Sequence, residues 1–112
     1  KGRNFIIKNY FKGISKFKFN ELCDVNLGAE DYINIASFCN HIFIEDIPEF
    51  SENTSNQQLR FITLIDILYE KDIILTISLA KELSNLSSSP KHLEVFKRTI
   101  SRLFEMTKVI ES

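Results

Sequence analysis

Between residues 42 and 80 the chain carries two short apolar runs, Ile42 to Ile44 and IILTISLA (residues 73–80), separated by the amphipathic stretch LRFITLIDILYEKD. The second run is nearly all apolar and rich in β-branched residues, the pattern of a central parallel strand covered on both faces. Between the runs, apolar residues at 59, 61, 62, 64, 65, 67 and 68 recur at helical spacing, leaving Arg60, Thr63 and Glu70 on a narrow wet stripe. Strand, helix and strand in that order make a βαβ unit with a right-handed crossover. The fold class that follows is α/β, with a small mixed, mainly parallel sheet of about four strands.

The flanking segments fit that frame. FIIKNYF, Gly13 and KFKF read as two short strands around a turn, with Phe17 and Phe19 on one face and Lys16 and Lys18 on the other, at or near a sheet edge. From Gly28 the period changes, and Ala29, Tyr32, Ile33, Ala36 and Cys39 or Phe38 fall at helical spacings. Glu30 and Asp31 lie in the first turn of that helix, where they complement its dipole. The Ile42–Ile44 strand is closed by Glu45, Asp46 and Pro48, and a polar loop, residues 51–58, leads into the crossover helix. SNLSSSP, residues 84–90, is a linker whose Ser89 can cap a helix with Pro90 at its first position. A long C-terminal helix then runs from about Lys91 to Val109, with a stripe of Leu93, Phe96, Ile100, Leu103, Thr107 and Ile110.

A length of 112 residues suits one domain, residues 1–112. The net charge of −1 and the absence of a basic block exclude non-specific nucleic-acid binding. No apolar run approaches the roughly 20 residues of a membrane-spanning helix; a cytoplasmic protein is expected, although no signal peptide would be visible if the N-terminus were missing. Cys23 and Cys39, with His41 and His92, show no zinc-site spacing; the two cysteines read as reduced, half-buried thiols, with a disulfide between them as the minority alternative. A chain that begins at Lys1 and has Met106 as its only methionine reads as a fragment of a longer protein.

Few residues are placed for chemistry. The acidic strand end FIED (residues 43–46) is reminiscent of a Mg²⁺-supporting site, but the glycines are only Gly2, Gly13 and Gly28, and no G-x-x-x-x-G-K-[ST] loop is present. Glu45 and Asp46 are therefore expected to terminate a strand, and no catalytic residue is assigned. Arg98 and Arg102 lie four apart on one side of the last helix, off its apolar stripe. Glu94 before Arg98 and Glu105 after Arg102 would make an ion-pair ladder; alternatively, the two guanidiniums suit bidentate recognition of phosphate or carboxylate.

Several motifs, in order, resemble the carboxyl-terminal part of the ZapE-type AAA+ ATPases, bacterial cell-division P-loop ATPases with mitochondrial relatives tied to quality control at the inner membrane. They are Gly2-Arg3, the F-x-F-x-x-L-C of Phe17 to Cys23, the G-A-x-D-Y of Gly28 to Tyr32, the D-x-P of Asp46 to Pro48, the R-F-I-x-L-I-D-x-L-Y of Arg60 to Tyr69, and the R-T-x-S-R-L-x-E-M of Arg98 to Met106. The resemblance implies a C-terminal piece of an ATPase whose P-loop half, with its ATP and Mg²⁺, lies upstream, so that the piece alone binds neither and is inactive. It implies contact with that half and with division or quality-control proteins, and it is compatible with peripheral membrane association and a homo-oligomer. By the same resemblance Arg98 and Arg102, and third Arg60, become candidates for contact with nucleotide phosphates or a neighbouring subunit. A stand-alone, non-enzymatic interaction domain that docks through its last helix is the alternative. KELSNLSSS replaces the family's usual proline-containing stretch after the strand at 73–79, and Glu70 stands for the second acid of its Tyr-Asp pair.

Overall fold

Lys12 and Gly13 both adopt positive φ, 48° and 84°, the backbone that two-residue turns need to match the twist of a hairpin. A side chain on Gly13 would also press on the Asn40 side chain, 3.2 Å from where its Cβ would sit. This turn joins β1 (Asn9–Phe11) to β2 (Ile14–Lys18) in antiparallel pairing. The computed structural model describes residues 9–79 and 81–107.

The remaining strands are added in parallel. β2 pairs with β3 (His41–Ile47), and β3 pairs with β4 (Ile74–Leu79), giving the order β1-β2-β3-β4. Parallel neighbours need crossovers. The first runs through α1 (Phe19–Cys23) and α2 (Ala29–Ala36), the second through α3 (Ser55–Glu70), and α4 (Leu93–Met106) closes the fold. α2 packs beside α3, and α3 beside α4, so the helices form a row over one face of the sheet. Sequence acids start two of them: the Glu21 carboxylate accepts the Lys18 N–H at 2.8 Å, and the Asp31 carboxylate accepts the Gly28 N–H at 2.9 Å.

Between the layers, Ile42, Ile44 and Leu75 from the sheet are fully buried, as are Phe61 and Leu68 from α3 and Leu103 from α4. Phe19, Phe50, Phe61 and Phe96 gather at one end, with ring centroids 5.5 to 5.8 Å apart. The linker before α4 is held by polar bonds. Gln58, fully buried, donates from Nε2 to the Ser88 hydroxyl at 2.7 Å and accepts the Ser89 N–H at 3.0 Å. The Ser87 hydroxyl donates to the Phe50 carbonyl at 2.9 Å. Ser89 caps a 3₁₀ turn, Pro90–His92, with Pro90 leading it as expected.

The α/β class, the mixed sheet and the long last helix are as read from the sequence, and several finer expectations are corrected. β4 is the edge of the sheet among the described residues, and its Ile74 is 47% exposed. An apolar run records that something covers it, without saying that the cover lies in the same segment. α3 begins inside the expected polar loop, at Ser55, and its buried Gln58 finds its partners in the linker. Phe19 opens a short helix rather than extending β2, and α2 stops at Ala36 with Ile35 turned inward and Ile33 outward. On α4 the buried stripe is Phe96, Thr99 and Leu103, while Leu93 is exposed. Phe5 to Lys8, Val109 and Ile110 lie outside the described residues. Cys23 and Cys39 are free and buried rather than half-buried, Cys23 completely. Among the described residues no helix is long and apolar enough to cross a membrane.

Candidate functional site

Helical spacing puts Asp66 and Tyr69 on one face of α3, and Arg98, Arg102 and Glu105 along one side of α4. Where the helices pack, these faces meet. Asp66 Oδ1 accepts from Arg102 Nη1 at 2.6 Å, and Asp66 Oδ2 accepts from Arg98 Nη2 at 3.1 Å. The Arg102 guanidinium lies over the Tyr69 ring, 4.5 Å from its centroid. The Tyr69 hydroxyl donates to the Glu105 carboxylate at 3.3 Å.

The arginines are thus held between helices, and the expected ladder along α4 is not what holds them. Glu94 pairs with Lys97 at 3.0 Å, and Glu105 receives the tyrosine hydroxyl. The two arginines differ in environment: the Arg98 side chain is 55% exposed, that of Arg102 25%, and that of Asp66 31%. A single carboxylate thus faces two guanidinium groups. Such a pair can meet a planar or tetrahedral oxyanion through several N–H donors at once.

Arg60 stands apart. Its Nη1 donates to the Cys23 carbonyl at 3.2 Å, satisfying the C-terminal end of α1. Beside it, burial pushes the Cys23 thiol from 9.0 up to about 12 and also raises Tyr32, whose hydroxyl donates to the Leu22 carbonyl at 2.7 Å. A thiol so protonated is a core group and no nucleophile.

The acids of FIED do not terminate their strand. Glu45 and Asp46 sit within β3 at a register shift between Ile44 and Ile47, with Asp46 at φ 61° and its N–H donating to the Ser78 hydroxyl at 2.8 Å. Glu45 pairs with Lys16 at 3.2 Å and Asp46 with Lys18 at 3.7 Å. Lys18 and Asp46 also line a cleft of about 360 Å³ at the C-terminal ends of β2 and β3, with Asp24 and Gln57 opposite. That rim is where α/β sheets commonly bind ligands, yet here Asp46 is matched by Lys18, and Asp24 accepts from Gln57 at 3.0 Å. Among the described residues no group of three or more His, Cys, Asp or Glu side chains could hold a metal ion.

Asp66 and Tyr69 were not singled out by local sequence reasoning, although both lie in the R-F-I-x-L-I-D-x-L-Y stretch. A rule limited to neighbours three and four apart cannot join Asp66 to Arg98, 32 residues on. The available signal was an acid in one motif and two bases in the other.

Comparison with known proteins covers nearly the whole chain. Residues 1–111 match the family model described as AFG1-like ATPase. An uncharacterized protein of Schizosaccharomyces pombe is 35% identical over 69 residues, which are 62% of this chain and 15% of that protein. Lactation elevated protein 1 homolog B of Danio rerio is 33% identical over 72 residues, 64% of this chain and 14% of the relative. Cell division protein ZapE of Escherichia coli K12 is 28% identical over 88 residues, 79% of this chain and 24% of ZapE. The chain thus spans less than a quarter of the length of each of these relatives. No solved structure matches it significantly.

Proposed function

The chain belongs to the family of AFG1-like ATPases, and from that premise we propose that it is the C-terminal part of an ATP-hydrolysing protein that couples nucleotide turnover to the remodelling of protein partners, with Arg98 and Arg102 as its contribution to the nucleotide site. The observation that carries this reading is the convergence of both arginines of the terminal motif on one carboxylate. Charge left over from that pairing faces outward at Arg98, where it can meet a phosphate of the same subunit or of a neighbour. The name of the Escherichia coli relative supports cell division as one setting for that work.

In this reading Mg²⁺ and the phosphate-cradling loop are assigned to the P-loop half, an assignment supported by the pairing of Glu45 and Asp46 with Lys16 and Lys18. A natural seat for that half is the second face of the sheet. Strand register aligns Phe11, Ile14, His41 and Ile74 across all four strands, and Phe11, Ile14 and Ile74 are exposed, whereas mainly parallel sheets are covered on both faces.

The test is ATP turnover by the full-length protein. Arg98→Ala and Arg102→Ala are each expected to lower it about tenfold or more with the fold retained. Unchanged turnover in both would refute a nucleotide role. Exposed Leu93, Val95 and Phe104 on α4 favour the second reading, a non-enzymatic docking helix. That reading requires partner binding that is indifferent to nucleotide.

A further inference from the structure

We infer that Asp66 is the positioning residue of the arginine site: it fixes Arg102 as an anchor and holds Arg98 as a releasable arm for the terminal phosphates of a nucleoside triphosphate. This rests on the nucleotide role proposed for the two arginines and divides that role between them.

The division follows from unequal restraint. Arg102 is gripped on two sides, by the 2.6 Å bond to Asp66 Oδ1 and by the Tyr69 ring beneath its guanidinium. Tyr69 is itself tied at its hydroxyl to Glu105. Arg98 meets the other oxygen of the same carboxylate through one longer bond of 3.1 Å, on a side chain more than half exposed. An exposed pair of this kind biases an equilibrium by only about a fewfold. An oxyanion carrying more charge than a carboxylate therefore displaces Asp66 from Arg98 easily. It does not displace Asp66 from Arg102 without also lifting the guanidinium from its ring. Asp66 thus competes with the ligand at one arginine and aims the other.

Two opposed effects identify this arrangement in the full-length protein. Asp66→Asn removes the competition, so Kd for a fluorescent ATP analogue and KM for ATP are expected to fall about threefold. It also loosens Arg102, so kcat is expected to fall about tenfold. A purely structural role would weaken binding and turnover together. Asp66→Glu keeps the competing charge but shifts the anchor by one methylene; KM is expected to stay within about twofold and kcat to fall severalfold. If Asp66→Asn does not fold, Asp66→Glu decides the matter, and unchanged kcat in it overturns the inference. Wild-type kinetics in Asp66→Asn, or weaker nucleotide binding, also overturn it. Should Arg98→Ala and Arg102→Ala both leave turnover and nucleotide binding unchanged, the underlying nucleotide role fails. Should they lower turnover while Asp66→Asn behaves as wild type, only the division of labour fails.

Discussion

The two bonds to Asp66 should differ in strength, and double-mutant cycles can measure the difference. Arg102 donates to Asp66 at 2.6 Å, and both side chains are mostly covered, at 25% and 31% exposure. Charge-assisted hydrogen bonds contribute about 1.5 to 3 kcal/mol, and residual solvent screening puts this one at the lower end, about 1.5 kcal/mol. Arg98 donates at 3.1 Å from an exposed side chain, for which about 0.2 to 1 kcal/mol is expected. The couplings should therefore differ by about 1 kcal/mol, roughly fivefold in an opening equilibrium. Cycles built from Asp66→Ala with Arg102→Ala, and Asp66→Ala with Arg98→Ala, give each pairwise energy free of the other losses. Native-state hydrogen exchange at the α3 and α4 amides is the suitable assay, because it reads local opening and does not need the whole protein to unfold in two states. Added salt should erode the Arg98 coupling much more than that of Arg102. Equal couplings, or a larger one at Arg98, would refute the unequal grip on the two arginines.

Three further outcomes follow from the same physical reasoning. Gln58→Leu strands the buried Ser89 N–H, so faster exchange of that amide and a loss of about 1 to 3 kcal/mol in local stability are expected; wild-type exchange would show that the linker is held by something else. Phe50→Ala opens the aromatic cluster between Phe19, Phe61 and Phe96 and should cost about 3 to 5 kcal/mol, read as accelerated proteolysis of the native protein. Cys23 stays protonated in the folded chain after the unfolded chain has lost that proton, so its contribution is complete below pH 9.0 and is lost at about 1.4 kcal/mol per pH unit as the pH rises from there toward about 12. Tyr32, also raised by burial, steepens the decline above its ordinary 10.0. Cys23→Ser should flatten the first part of that profile, and an identical profile would contradict a buried thiol.

The βαβ frame was legible because the periods of its parts differ: the 42–44 and 73–80 runs cannot be helices of useful length, and 59–68 cannot be a strand. Two other features left no such trace. α1 is five residues long, too short for a helical period to register, and its Phe19 continues the alternation of β2 by coincidence. The exposure of β4 was hidden because hydropathy reports what a strand needs without naming its cover. For the site, spacing found both arginines and their shared side of α4, yet supplied the wrong counter-ions. Glu94 and Glu105 are near in sequence; Asp66 is near in space. Arg60 lies away from the other two arginines, and its bond to the Cys23 carbonyl at the end of α1 could not be read from spacing.

The central claim, that the α4 arginines serve a nucleotide, is tested most directly by a structure of the full-length protein with a non-hydrolysable ATP analogue. The account predicts Arg98 within about 3 Å of a terminal phosphate oxygen, with Arg102 still bonded to Asp66 and stacked on Tyr69. Both arginines remaining on Asp66, with every phosphate beyond hydrogen-bond reach in all subunits, would contradict it.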